Sequence, residues 1–178
     1  MKTIVIINGY PRSGKDTFVD MVKNFANDGD QKVVSISSIS FVWEWLKSLG
    51  APMDNKSEKE RKLAADVKSA LEDYDFLSTR QVMQTALELL LKEKVQTVFI
   101  HMREPRSIMF AKQMVRDIKG LNLITLFVDR PSLRSRDFGN AADREVELMR
   151  YDHCITNDGS LGQLDSKAVC FAREHLWI

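Results

Sequence analysis

Gly9-Tyr10-Pro11-Arg12-Ser13-Gly14-Lys15-Asp16-Thr17 is the stretch on which the rest of the chain depends. Its spacing is G-x-x-x-x-G-K, with Asp16 where Ser or Thr is usual. An Ile- and Val-rich run over residues 3–8 leads into it, which reads as a strand. An amphipathic helix leads out of it, over about 14–26, with Phe18, Val22 and Phe25 on one stripe. Strand, glycine loop and helix in that order form a phosphate cradle. Glycines let backbone N–H groups turn inward around an anion without side-chain clash. The positive end of the helix points at the same anion. Lys15 adds a mobile ammonium for the β and γ oxygens of a nucleoside triphosphate. Gly9, Arg12, Ser13, Gly14, Lys15, Asp16 and Thr17 are therefore the candidate nucleotide-binding residues.

Asp16 is the informative departure. The usual hydroxyl at its position ligates Mg²⁺. A carboxylate is a harder ligand and can do the same directly or through water. Without the metal it would repel phosphate, so strict Mg²⁺ dependence is expected, with Thr17 reaching the α-phosphate.

Outward from the loop, strands and helices alternate. A second strand is read over 32–37, a third over 95–101, a fourth over 121–128 and a fifth over 153–156. Between the second and third lie about sixty helical residues. Ser40 is read as the cap of one helix. Ser57 with Glu60, and Ser78 with Gln81, have the spacing of capping boxes for two more. Pro105 suits the first turn of a helix carrying Ile108, Ala111, Val115 and Ile118. A short helix is expected to end near Arg150, and a last one carries Leu164, Ala168 and Phe171. Such alternation predicts an α/β fold with a parallel sheet covered on both faces. Ligands of such sheets bind at the carboxyl ends of the strands, here Asn8, Ser37, His101, Asp129 and Asn157.

The chain has 178 residues, enough for one domain with a sizeable core. With 44% hydrophobic and 29% charged residues, it reads as globular. The formal net charge of +1 gives no global attraction to nucleic acid or to an anionic membrane, so neither is an expected partner. The apolar run at 4–7 is too short for a signal peptide or a membrane span. Two cysteines sixteen apart, Cys154 and Cys170, make neither a disulfide scaffold nor a zinc pair and are read as core thiols. A reducing, cytoplasmic setting is the expectation.

Arg-Ser-Gly-Lys-Asp-Thr after a first strand resembles the phage-type deoxynucleoside monophosphate kinases. The animal-type phosphomevalonate kinases share the Gly-Lys-Asp core, and the wider group is the P-loop nucleoside and nucleotide kinases. The resemblance implies a three-layer P-loop NTPase fold, with a five-stranded parallel sheet of order 2-3-1-4-5. It implies one kinase domain over 1–178, an acceptor-covering helical insert over about 37–92 and a small lid over about 130–142. It implies phosphoryl transfer from ATP, with Mg²⁺, to a small phosphorylated acceptor.

Within that frame Arg103 is the candidate clamp for the acceptor's phosphate. His101 stands where relatives often carry an acid, and is read as a strand-end packing residue. Glu104 and Asp129 are the candidates to replace that acid as metal ligands, although Glu104 also fits a helix cap and Asp129 a turn. Arg130, Arg134 and Arg136 lie where lids of this class place arginines that neutralise charge on a transferring group. Asn157 opens a loop that packs on adenine in similar kinases and equally fits a plain turn. Arg61 and Arg80 of the insert are weaker candidates for an acceptor phosphate. Trp43 and Trp45 cannot both face the core of one helix.

Overall fold

The computed structural model describes residues 2–28, 32–55, 57–92, 95–133 and 149–176. The strands are β1 (Lys2–Asn8), β2 (Lys32–Ser37), β3 (Val95–His101), β4 (Leu121–Asp129) and β5 (His153–Thr156). They form one sheet of order β2-β3-β1-β4-β5, parallel at each pairing. The helices are α1 (Lys15–Asp28), α2 (Ser40–Ser48), α3 (Glu58–Asp75), α4 (Leu77–Leu91), α5 (Pro105–Val115) and α6 (Leu161–Phe171). A single 3₁₀ turn, Pro131–Leu133, follows β4, and a π-helical turn, Ala172–Leu176, follows α6. The predicted sheet order and the five strands are thus present.

Alternation along β1 divides the core into two layers. Val5 and Ile7 meet Phe18 and Val22 of α1 and Leu164 and Phe171 of α6. Ile4 and Ile6 face the other way, onto Val82, Met83 and Ala86 of α4 and Ile108 and Ala111 of α5. Each such Val, Ile, Leu, Met or Phe side chain, when fully buried, contributes about 1.5–3 kcal/mol. Phe18 stands edge-on to Phe171 with ring centroids 5.7 Å apart, which fixes α1 against α6. With both faces covered, the strand ends are the place left for a ligand.

The insert has its own small cluster. Val42, Leu46, Met53 and Ala64 are buried together, with Trp43 packed against them, while Trp45 is exposed. Ser57 and Glu60 form the predicted capping box of α3. Two expected caps are absent. Ile39, not Ser40, precedes α2, without a side-chain cap. The start of α4 is set by Phe76, whose φ of 51° lies in the left-handed region, not by Ser78 and Gln81. Ser78 is instead buried and donates to the Glu72 carboxylate, a charge-assisted bond. The apolar side of α3 joins this cluster only in part, through the partly buried Val67 and Leu71, and its fully buried positions are largely polar. These are Ala64, Lys68 and Glu72, and Leu63 is exposed.

Cys154 and Cys170 are both exposed rather than core thiols, and Ile118 is exposed beyond the end of α5. The helix expected to end near Arg150 lies outside the described residues. Among the described residues no helix is long and apolar enough to cross a membrane.

Candidate active site

The loop between β1 and α1 is held from below by Asn8. Its Oδ1 accepts the Gly9 N–H at 2.8 Å, and its Nδ2 donates to the Arg103 carbonyl at 2.9 Å and the Tyr151 hydroxyl at 2.7 Å. One buried amide thus joins the ends of β1 and β3 to the segment entering β5. Burial pushes the Tyr151 hydroxyl far above its ordinary pKa, so it stays protonated.

The loop then turns through positive φ at Gly9 (152°), Arg12 (65°) and Gly14 (93°). A side chain at Gly9 would put its Cβ 2.5 Å from the Val128 carbonyl oxygen and 2.7 Å from Ser13 Oγ. One at Gly14 would collide with the Asn157 amide. These two positions therefore require glycine for space as well as conformation. The Ser13 hydroxyl is buried without a hydrogen-bond partner among the described residues.

Above the loop lies a cleft of about 360 Å³, lined by Arg12, Gly14, Lys15, Asp16, Thr17, Arg130, Asn157, Gly159, Leu161 and Leu164. Lys15 is only 8% exposed, with Nζ 3.4 Å from the Tyr10 carbonyl. Arg130 reaches across to the Arg12 carbonyl at 3.4 Å. Asn157 donates to the Ser13 carbonyl at 2.8 Å. Leu161 and Leu164 give one wall apolar character. The arrangement combines two arginines, a lysine, a helix N-terminus and a small apolar wall, which is suited to an anion joined to a flat or apolar group.

His101 does more than pack at a strand end. Its Nδ1 lies 3.3 Å from Asp16 Oδ1, and its ring is largely buried while the Asp16 carboxylate is 80% exposed. Burial lowers the imidazole pKa, Asp16 opposes that, and the nearby charges of Lys15, Lys23 and Arg103 lower it further. The ring is thus neutral near pH 7. The signal was present in the sequence. Counting in twos from Phe99 places His101 on the face of β3 that α1 covers.

Of the three candidate metal ligands, Asp16 alone lines the cleft. Glu104 is turned to the insert, its Oε1 2.5 Å from Lys68 Nζ. Burial raises its carboxyl pKa, but the Lys68 ammonium and backbone hydrogen bonds outweigh that and hold it below the usual range. Asp129 is buried at the end of β4, where its carbonyl accepts the Asn157 N–H at 2.6 Å. Glu104 thus has the Lys68 ammonium as partner, whereas for Asp129 the bond to Asn157 engages the backbone. Among the described residues no group of three His, Cys, Asp or Glu side chains could hold a metal unaided. Mg²⁺ at phosphate sites takes one or two protein oxygens, with water and phosphate for the rest. Asp16, beside a cradle that a Cβ would fill, fits that requirement.

Arg103 is half-buried beside His101 and does not line the cleft. Arg61 is exposed on α3. Arg80 pairs with Asp75 at 3.2 Å and covers the Phe110 ring, away from the cleft. Arg134 and Arg136 lie outside the described residues.

No family model and no curated protein matches the sequence. Solved structures do match the fold. The Mycobacterium tuberculosis APS kinase CysC, in complex with AMPPNP and APS, is similar over 97% of this chain and 98% of its own, at 14% identity and a TM-score of 0.57. A sugar kinase from Janibacter is similar over 99% and 97%, at 13% identity and a TM-score of 0.52. The hexameric APS kinase from Thiobacillus denitrificans is similar over the whole of this chain and 30% of its own, at 12% identity and a TM-score of 0.57. The chain has the P-loop kinase fold. That likeness lends no particular support to the phage-type nucleotide kinases.

Proposed function

We propose that the chain is an ATP-dependent phosphotransferase whose acceptor is a nucleoside monophosphate, deoxynucleotides included. The observation that carries the reading is the cleft over the Gly9–Gly14 turn, where Lys15, Asp16, Thr17 and Arg130 converge on one helix N-terminus. Backbone amides of the loop bind the β-phosphate and the α1 N-terminus favours its charge. Lys15 and Arg130, with Arg134 and Arg136 as the remaining lid candidates, neutralise charge that grows on the transferring group. Asp16 would hold Mg²⁺, which when bound would neutralise phosphate oxygens, and Thr17 would reach the α-phosphate. The base rests against Leu161 and Leu164, beside Asn157. Arg103 holds the acceptor phosphate at the end of β3, and closure of the insert excludes water. An acceptor that is already anionic needs no strong general base, and the neutral His101 is consistent with that.

A second reading keeps the chemistry and changes the acceptor to another small phosphorylated metabolite. It is favoured by the spread of the structural neighbours over APS and sugar kinases. A regulatory NTPase has less support, because among the described residues none stands out to position an attacking water. A coupled assay decides among these, with MgATP and a panel of nucleoside monophosphates, deoxynucleotides, phosphomevalonate and APS. Turnover with one monophosphate supports the first reading. Turnover with phosphomevalonate or APS alone supports the second. Slow ATP hydrolysis indifferent to every acceptor overturns both.

A further inference from the structure

We infer that Asn8 is a positioning residue that fixes the phosphate loop and the end of β3 to one another, so that the donor and acceptor phosphates meet in line, an inference that rests on the phosphotransfer reading.

Asn8 closes the apolar run 4–7 of β1 and is itself fully buried. A buried amide is costly unless its groups are hydrogen-bonded. This one has two N–H donors and a carbonyl oxygen, and all three are used. Oδ1 accepts the Gly9 N–H, while Nδ2 donates to the Arg103 carbonyl and to the Tyr151 hydroxyl. The amide has one orientation, because the Gly9 N–H can only donate and the Arg103 carbonyl can only accept.

Its place decides what those bonds do. The last register pair of β1 and β3 is Ile7 with His101, and the Met102 N–H reaches back to the Ile7 carbonyl at 3.3 Å. Past that point the two chains part, one into the phosphate loop and the other toward α5. The Asn8 side chain spans the fork. On one prong is Gly9, buried and at a φ of 152°, with the Val128 carbonyl where a Cβ would stand. On the other is Arg103, which holds the acceptor phosphate in the reading above. The ladder stops short of this separation, and the amide sets it. An apolar residue of similar size would fill the same space but leave the Gly9 N–H and the Arg103 carbonyl without this partner. In-line transfer needs reacting atoms about 3–3.5 Å apart, and about 1 Å of misplacement can cost about a hundredfold in rate. Each prong keeps its own charged groups when the amide is lost. The signature is therefore a loss of kcat that exceeds the loss of nucleotide affinity.

The test takes the purified full chain through the coupled assay with MgATP and the same acceptor panel, and through binding of fluorescent N-methylanthraniloyl ATP with MgCl₂. Asn8→Leu is expected to lower kcat by about a hundredfold while the Kd of the fluorescent nucleotide moves by less than about tenfold. Val5→Ala, a buried core change in the same strand, controls for lost stability and is expected to keep kcat within about threefold of wild type. Tyr151→Phe leaves the bonds to Gly9 and Arg103 in place and is expected to stay within about threefold as well. An Asn8→Leu protein whose kcat falls no further than that of Val5→Ala, or no further than its own nucleotide affinity, overturns the inference. So does a Tyr151→Phe protein as slow as Asn8→Leu. A measurement on the unmutated protein guards against a variant that folds poorly. In ¹⁵N spectra the Gly9 N–H and the Asn8 side-chain amide protons should exchange slowly with solvent, and exchange at the rate of an open loop would overturn the inference equally. Wild-type protein that turns over no member of the panel defeats the phosphotransfer reading, and the inference with it. Turnover that is indifferent to Asn8 defeats only the positioning role.

Discussion

Asn157 donates from Nδ2 to the Ser13 carbonyl oxygen at 2.8 Å, tying the end of β5 to the phosphate loop 144 residues earlier. The bond joins the first and last strands' contributions to the cleft. It also explains why Gly14 carries no side chain, since the Asn157 amide occupies that space. Asn157→Ala removes one net hydrogen bond, worth about 1 kcal/mol. The expected result is a melting temperature about 2–4 °C lower by calorimetry. Nucleotide affinity should fall by more than that stability loss implies, because the loop carbonyl it held is freed at the mouth of the site.

The Lys68–Glu104 pair couples the insert to the end of β3. Lys68 Nζ is 2.5 Å from Glu104 Oε1, with the lysine side chain 6% exposed. Removing one partner strands a buried charge, so Lys68→Met should destabilise by about 3 kcal/mol. Lys68→Met with Glu104→Leu should recover most of that. The folded-state pKa of Glu104 lies below its ordinary 4.5. Its contribution is therefore complete above that value and is lost as pH falls through the lower, folded value. Denaturant unfolding of wild type and the double variant between pH 7 and 3 checks the sign. The wild type should lose more stability below about pH 4.5.

How much of this was legible beforehand follows from the kind of signal each residue gives. The sheet was legible because buried strands read as Ile- and Val-rich runs, and the loop because its glycines and Lys15 sit at fixed spacing. His101 facing Asp16 was within reach of period-two counting along β3, once β1 and β3 are neighbours. The buried face of α3 was not. Lys68 and Glu72 look like solvent-facing charges in any helical projection. Only the three-dimensional arrival of Glu104, Ser78, Thr79 and Ser107 gives them partners. Likewise, no spacing rule distinguishes Glu104 as a metal ligand from Glu104 as an ion-pair partner. The choice belongs to α3, which is remote in sequence.

At the opposite edge of the sheet, the rings of His153 and His175 lie 4.0 Å apart. Burial lowers the His175 pKa, the neighbouring His153 lowers it further, and Glu174 opposes them. A histidine whose folded pKa is depressed is neutral in the native state while the unfolded chain still takes up a proton. Stability from this group is complete above pH 6.5 and declines as pH falls through it. The melting temperature should therefore drop between pH 7.5 and 5.5. His175→Gln should flatten that dependence, and an unchanged slope would contradict the assignment.

Titration calorimetry with AMPPNP and MgCl₂, on wild type and Lys15→Met, tests most directly whether the Gly9–Gly14 turn holds a triphosphate. The account predicts saturable one-to-one binding by the wild type. It also predicts a loss of at least about a hundredfold in Lys15→Met, which keeps the bulk of the side chain and removes its charge. Wild-type protein that gives no binding heat with millimolar nucleotide, or Lys15→Met protein that binds as tightly as wild type, would contradict it.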